Sequence, residues 1–192
     1  VNVAPALSKE KAEEAVNDSY GVMAEAGDAA FSSFNDGMNP FYRAAYTWNG
    51  GEFRASANIT SYLGGYKDPR LTIYVKESEE NGYVGVRNGI SQTASSFASY
   101  QKLSNVNVGE GDKLLVMSAA EAYFLRAEGA LRGWNMGGTA KELYETGIAV
   151  SMAEKGASVG DYLSSKAVPE AYTDPVNSKY NVVAASTICP AY

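Results

Sequence analysis

"MSAAEAYFLRAEGALRGWNMGGTAKELYETGIAVSMAEKG", Met117 to Gly156, is the stretch on which the fold turns. Ser118 and Glu121 stand at S-x-x-E spacing, and Thr139 and Glu142 at T-x-x-E. That spacing lets a hydroxyl and a carboxylate satisfy orphan backbone N–H groups at a helix start. It predicts two helices, over 119–132 and 140–155. Gly133 and Gly156 supply the left-handed residue that closes a helix, and Lys155 suits the negative end of the second dipole. The short "GWNMGG" connection makes the two helices antiparallel neighbours.

Apolar and small residues repeat on one side of each helix. Ala120, Phe124, Ala127, Ala130 and Leu131 form the first face, and Ala140, Leu143, Tyr144, Gly147, Ile148 and Ser151 the second. Ala127, Ala130 and Gly147 are small enough for close approach. The offsets of Phe124, Ala127, Glu128, Leu131, Ala140 and Tyr144 fit a tetratricopeptide unit, with Gly147 at the next small position. Two positions depart from it: Glu128 replaces glycine, and Met152 stands where proline is usual. One such unit cannot bury its own faces, so neighbours are expected.

Outward from the pair, the chain is loop-rich. Ser8 to Gly27 reads as a further helix, with Ser8 as N-cap and Ala12, Ala15, Val16, Ser19, Val22 and Met23 at helical spacing. From Phe31 to Gly65, "NDGMNP" and "WNGG" mark turns, and "SANITSYLGG" fits helix or strand equally. In "DPRLTIYV" the proline forces Asp68 to be extended, and the β-branched run Leu71 to Val75 predicts a strand. "SEENGYVGVRNGI" reads as turn, short strand and turn, and "SSFASYQKLSNVNVGEGD" as polar loop. The expected fold class is mainly α: tetratricopeptide-like helix pair(s) with a loop-rich part containing short strands. Its parts are a helix at 8–27, a loop-rich part at 28–117, the helix pair at 118–156 and a loop-rich tail at 157–192.

Composition narrows the chemistry. The 192 residues contain no histidine, which removes Ser-His-Asp triads, Cys-His dyads and histidine-ligated metals. The one cysteine, Cys189, cannot form an internal disulfide and reads as a buried thiol. Net charge is −6 without a basic stripe, so no nucleic-acid partner is expected. No apolar run reaches the length of a membrane span. The chain opens on "VNVAPALSKEK" without an initiator methionine and ends on "STICPAY", so a mature or trimmed piece of a longer protein is expected.

Three sets of residues are candidates for function. Glu121 and Glu128 share a helix face about 10 Å apart along the axis, a spacing to weigh against a glycosidase pair. Both point the same way, whereas a sugar must lie between acid and base. The first is also claimed by the cap and the second by Arg132 at i+4, so a structural role is expected. Asn105, Asn107, Glu110 and Asp112 offer oxygen ligands, but without EF-hand spacing; turn chemistry accounts for them, and no metal or other cofactor is expected. The third set is aromatic. Fourteen tyrosines, with loops rich in Asn and Gly, suit sugar recognition, because the C–H faces of a pyranose stack on flat rings. Trp48 and Tyr46 are the stacking candidates. Tyr83 with Arg87 and Asn88 offers a second ring plus hydrogen-bonding groups. Trp134 sits in a helix turn, where packing suffices.

"GYKDPRLTIYV", "YVGVRNGI", the Met117–Gly156 stretch and "DYLSSKAVPEAYTDP" follow one another in an order that resembles the SusD/RagB family, from Ser8 to Pro175. The resemblance implies surface-exposed outer-membrane lipoproteins of glycan-foraging bacteria, with a tetratricopeptide scaffold carrying a loop-rich ligand-binding part. It makes this chain a central to C-terminal segment, without the lipidated N-terminal region, the early helices or the final Arg-rich stretch. Membrane association would then come only through a lipid anchor outside the segment. The implied function is non-enzymatic capture of an oligosaccharide, or in some members a peptide, for delivery to a SusC-like TonB-dependent transporter. Two other readings stay open: a helical-repeat module that docks peptides or proteins, and a carboxylate-dependent glycoside hydrolase.

Overall fold

The computed structural model describes residues 4–34 and 37–182, which fold as two compact units. Cys189 lies outside the described residues. Unit 1 takes Val1–Ser33 and Lys113–Leu163, and unit 2 takes Phe34–Asp112 and Ser164–Tyr192.

Unit 1 is built on the two helices marked by the caps. Helix α6 runs Ala119–Leu131 and helix α7 runs Ala140–Ala153. At Thr139 the box closes in both directions: its hydroxyl accepts the Glu142 N–H, and the Glu142 carboxylate accepts the Thr139 N–H. The Thr139 hydroxyl also donates to the Glu142 carboxylate at 2.7 Å, and this bond, with that from the Thr139 N–H, holds the Glu142 carboxyl below the usual carboxylate range. At Ser118 only half forms. Its hydroxyl accepts the Glu121 N–H at 3.0 Å, but the N–H groups of Ala119 and Ala120 donate to Glu154 Oε1 at 2.8 and 3.3 Å. Glu154, at the far end of α7, therefore caps the start of α6 and fixes the pair as antiparallel.

Ala127, Met136 and Leu143 form the core, flanked by Tyr123, Ala130 and Trp134. A Cβ on Gly147 would stand 2.8 Å from the Phe124 ring, so the small residue at this position is what permits the close approach. Leu131 and Tyr144, placed on the inward faces by their spacing, are instead 71% and 54% exposed. The Tyr144 ring meets Phe124 with centroids 5.7 Å apart at the edge of the pair.

The first helix differs from expectation. Helix α1 spans Pro5–Asn17, with Pro5 rather than Ser8 at its start, because proline already carries a helical φ and needs no N–H there. It stops ten residues short of Gly27. The Asp18 carboxylate accepts the Tyr20 N–H at 2.8 Å, and Gly21 turns at φ +70, so Val22 and Met23 lie in the connection. After a 3₁₀ turn at Ala26–Asp28, strand β1 (Ala30–Ser32) pairs antiparallel with a strand at Leu114–Met117. Ala12 and Val16 of α1 pack on the Ala127 core.

Unit 2 is held by pins between short elements. Helix α2 (Pro40–Tyr42) leads into a π-helical turn at Arg43–Thr47, and helix α3 covers Ala57–Gly65. The segment read as a strand from Leu71 is helix α4, Leu71–Tyr74; only Val75–Lys76 is strand β2, paired antiparallel with β3 at Asn105–Val106. Local polar bonding overrides β propensity here. Asp68, its side chain fully buried, accepts the Arg70 N–H and Nε at 2.9 Å and Nη2 at 2.5 Å. The Leu71 N–H donates to the Asp68 carbonyl and Tyr74 N–H to that of Arg70, which winds the chain before the strand can begin.

The polar loop after "NGI" also contains a helix, α5 at Ala94–Tyr100, capped by a Thr93–Ser96 box. β4 is the Leu114–Met117 strand of unit 1. "YVGVRNGI" makes one bridge, Val86 to Ser56, in place of a strand. The tail is fastened to this unit. Tyr172 donates its hydroxyl to the Gly85 carbonyl at 3.1 Å, and Tyr100 donates to Asp174 Oδ2 at 3.1 Å. Burial, and for Tyr100 the Asp174 carboxylate, push both phenols up to about 12.

Candidate functional site

The best-built aromatic surface is the segment 39–54 of unit 2. Asn39 is buried. Its amide oxygen accepts the N–H groups of Phe41 and Tyr42 at 2.8 and 3.3 Å, and its Nδ2 donates to the Asp112 carbonyl at 2.9 Å. Pro40 then opens the helical turn in its preferred position. The backbone continues as a π turn, closed by the Trp48 N–H donating to the Arg43 carbonyl. It reverses through three left-handed residues: Asn49 at φ 48, Gly50 at φ 79 and Gly51 at φ 85. A Cβ on Gly51 would come within 2.7 Å of the Ala45 carbonyl oxygen, so glycine is required there for space as well as for φ.

Arg54 locks the base of this loop. Its Nη1 donates to the carbonyls of Gly51 and Phe53, both at 2.6 Å, and Nε and Nη2 to that of Gln101 at 2.8 and 2.5 Å. Burial lowers its pKa from the ordinary guanidinium value. The result is a preorganised platform with Trp48 58% exposed at its tip and Phe41 and Phe53 also exposed.

The sequence candidates fare unequally. Trp48 is presented as expected, with the Arg43 guanidinium carbon 5.5 Å from its ring centroid. Tyr46 is half-buried. Its hydroxyl donates to the Val106 carbonyl, its ring lies 4.9 Å from that of Tyr42, and the Lys76 ammonium stands 4.5 Å above it. Its ring is thus engaged within the fold on the Tyr42 and Lys76 sides. Tyr83 is half-buried in a bend, while Arg87 and Asn88 are exposed on the turn that follows. The recorded ring contact of Arg87 is to Tyr180, at 5.9 Å. Tyr180 is itself pinned to Ser91, accepting its N–H at 3.1 Å. The contacts of Tyr46 and Trp48 thus run to Tyr42, Arg43, Lys76 and Val106, and those of Arg87 to the tail.

Reading from sequence missed Arg43, Arg54, Lys76 and Tyr180. Arg43 carried a local signal, a cation interleaved with aromatics in "FYRAAYTWNGG". Lys76 carried none, since its ring partner Tyr46 is 30 residues away, and for Tyr180 only the neighbouring Lys179 is local, Arg87 being remote.

The other candidates make contacts within the fold, though the Glu121 carboxylate does not close the cap expected of it and only its N–H donates to Ser118 Oγ. Glu128 Oε1 accepts Arg132 Nε and Nη2 at 3.1 and 2.6 Å. Trp134 packs against the Ala127 core. In "NVNVGEGD", the Asp112 carboxylate accepts the Gly109 N–H at 2.7 Å, while the amides of Asn105 and Asn107 donate to the carbonyls of Ala45 and Thr72. Among the described residues no cluster of three or more His, Cys, Asp or Glu side chains could hold a metal ion. No described helix is long and apolar enough to cross a membrane.

Solved structures align with this fold. A chitin-binding SusD homologue from Flavobacterium johnsoniae is 41% identical, with TM-score 0.87, over 95% of this chain and 38% of its own. A SusD homologue from Bacteroides thetaiotaomicron is 38% identical, with TM-score 0.84, over 94% of this chain and 38% of its own. One from Bacteroides ovatus is 40% identical, with TM-score 0.81, over 94% and 39%. The chain therefore spans about two-fifths of the length of these relatives. No curated protein matches it. The family model described as Susd and RagB outer membrane lipoprotein matches residues 1–192, and the chain belongs to that SusD-like family.

Proposed function

We propose that the protein captures oligosaccharides at the bacterial cell surface, without cleaving them, and hands them to a SusC-like TonB-dependent transporter. The observation that carries this reading is the Trp48 loop: an exposed ring on a backbone fixed by Asn39, a π turn, three left-handed residues and Arg54. A site so braced binds with little ordering cost, and a flat ring suits the C–H face of a pyranose. The chitin-binding homologue makes N-acetylglucosamine oligomers the first ligands to try. Calorimetric titration of the full chain with chitin oligosaccharides and a wider glycan panel tests the proposal. Binding that falls about tenfold or more in Trp48→Ala, with unchanged circular dichroism, supports it. Absence of binding to every glycan, or binding indifferent to Trp48→Ala, rejects the loop as the site.

The docking-module reading has one specific support, an apolar groove of about 350 Å³ in unit 1 lined by Ala12, Val16, Met117, Leu125 and Met136. Co-purification with a transporter, in the absence of glycan binding, would favour it.

A further inference from the structure

The cation beside Trp48 adds a specificity that a bare ring lacks. Arg43 and Trp48 are five residues apart; on an α-helix their side chains would diverge by roughly 140°. The π turn removes most of that divergence, because the i→i+5 bond from Trp48 N–H to the Arg43 carbonyl brings residue 48 nearly one turn past residue 43. Local π turns of this kind are frequent at functional sites. Two further bonds fix the arginine's backbone: its N–H donates to the Asn39 carbonyl at 2.9 Å, and its carbonyl accepts Thr47 Oγ1 at 3.0 Å.

The guanidinium lies 5.5 Å from the indole centroid and is exposed. Among the described residues no carboxylate pairs with Arg43 or with Lys76, the second cation of the cluster. An incoming anion therefore displaces no protein carboxylate, and the indole itself is more than half exposed.

We infer that Arg43 and Trp48 form a subsite for a sugar unit carrying an anionic substituent, a carboxylate or a sulfate ester, with the ring stacked on Trp48 and the anion on the Arg43 guanidinium. The inference rests on the sugar-capture reading and adds its charge class. The planar guanidinium fork matches either oxyanion, and the hydrogen bonds are charge-assisted. Lys76 above Tyr46 extends positive potential along the same aromatic cluster.

The test compares ligands that differ only in charge. The full chain is titrated with trigalacturonate and its methyl ester for the carboxylate, with dextran sulfate and dextran for the sulfate, and with chitin oligosaccharides as a neutral reference. The anionic member of at least one pair is expected to bind about 5- to 10-fold more tightly at low salt. Arg43→Gln should erase that ratio and Arg43→Lys retain part of it, while Trp48→Ala weakens both members. Whichever pair shows the ratio assigns the anion. Equal binding within both pairs, or a ratio that survives Arg43→Gln, overturns the inference and leaves sugar capture standing. Failure to bind any of the five ligands overturns the inference, and failure across the wider glycan panel overturns sugar capture with it.

Discussion

In unit 1 the cations Lys9, Lys11, Arg132 and Lys141 meet carboxylates three or four residues away on their own helices. In unit 2 Arg43, Lys76 and Arg87 lie on aromatic rings, Arg54 on backbone carbonyls and Arg70 on a buried aspartate. Unit 1 holds seven Lys and Arg against twelve Asp and Glu, whereas unit 2 holds nine against ten. The first pattern is the solvated surface of a scaffold. The second is a loop region stitched by polar side chains where helices are too short to do it. Long-range pins such as Arg54 to Gln101 join local ones such as Arg70 to Asp68, and the arginines and aromatics that hold the loops include the groups proposed to meet a ligand.

That contrast makes unit 2 the more fragile under single substitutions. Asp68→Ala is expected to have the largest effect. It leaves the Arg70 guanidinium, itself only 14% exposed, without the carboxylate, and removes the acceptor that starts α4. Breaking a buried pair in this way costs about 3–5 kcal/mol. Guanidinium-induced unfolding measures it, and a loss under about 1 kcal/mol would show that the pair is not what holds this corner.

The tail fastening gives unit 2 a second vulnerability, in alkali. Tyr100 titrates at about 12 in the folded chain against an ordinary phenol value of about 10. Its neutral form is thus favoured by folding. The contribution is complete below about pH 10 and is lost as pH rises through about 12. Stability measured between those limits should fall with a slope that Tyr100→Phe reduces. An unchanged slope in the variant would remove Tyr100 from the account.

The same contrast explains what could be read in advance. Two helices of unit 1 were legible to within two residues, because Ser118, Thr139, Gly133 and the 3.6-residue period are local signals. The half-formed box at Ser118 was not, since Glu154 arrives from 35 residues away. In unit 2 the run Leu71–Val75 has the composition of a strand, and the Asp68 side chain and carbonyl just before it turn its start into a helix. Trp48 was legible as an exposed ring in a Gly-rich turn. The partial burial of Tyr46 was not legible, because the Val106 carbonyl that takes its hydroxyl lies 60 residues on. Local signals name elements; contacts across the sequence decide what those elements do.

In unit 1 the expected effects are smaller. Glu154→Ala frees the N–H groups of Ala119 and Ala120, which sit at the start of α6. Loss of a cap costs about 1 kcal/mol, and water can replace part of it. Glu154→Ala combined with Ser118→Ala should exceed either alone, since they serve different donors of one helix end. Equal loss in the double and the Ser118→Ala variants would mean that Glu154 contributes nothing.

The smallest effect belongs to the ion pair that engages one of the two glutamates weighed as catalytic. Glu128 and Arg132 are in contact at 2.6 Å, yet both side chains are about half exposed. Water screens such a pair and two long side chains must be ordered to make it, so Arg132→Ala should cost only about 0.3–0.5 kcal/mol. Because the interaction is between solvated charges, the difference from wild type should shrink further in 1 M salt. A salt-independent loss above about 2 kcal/mol would place this pair in the same class as Asp68 and Arg70, and would dissolve the distinction between the two units.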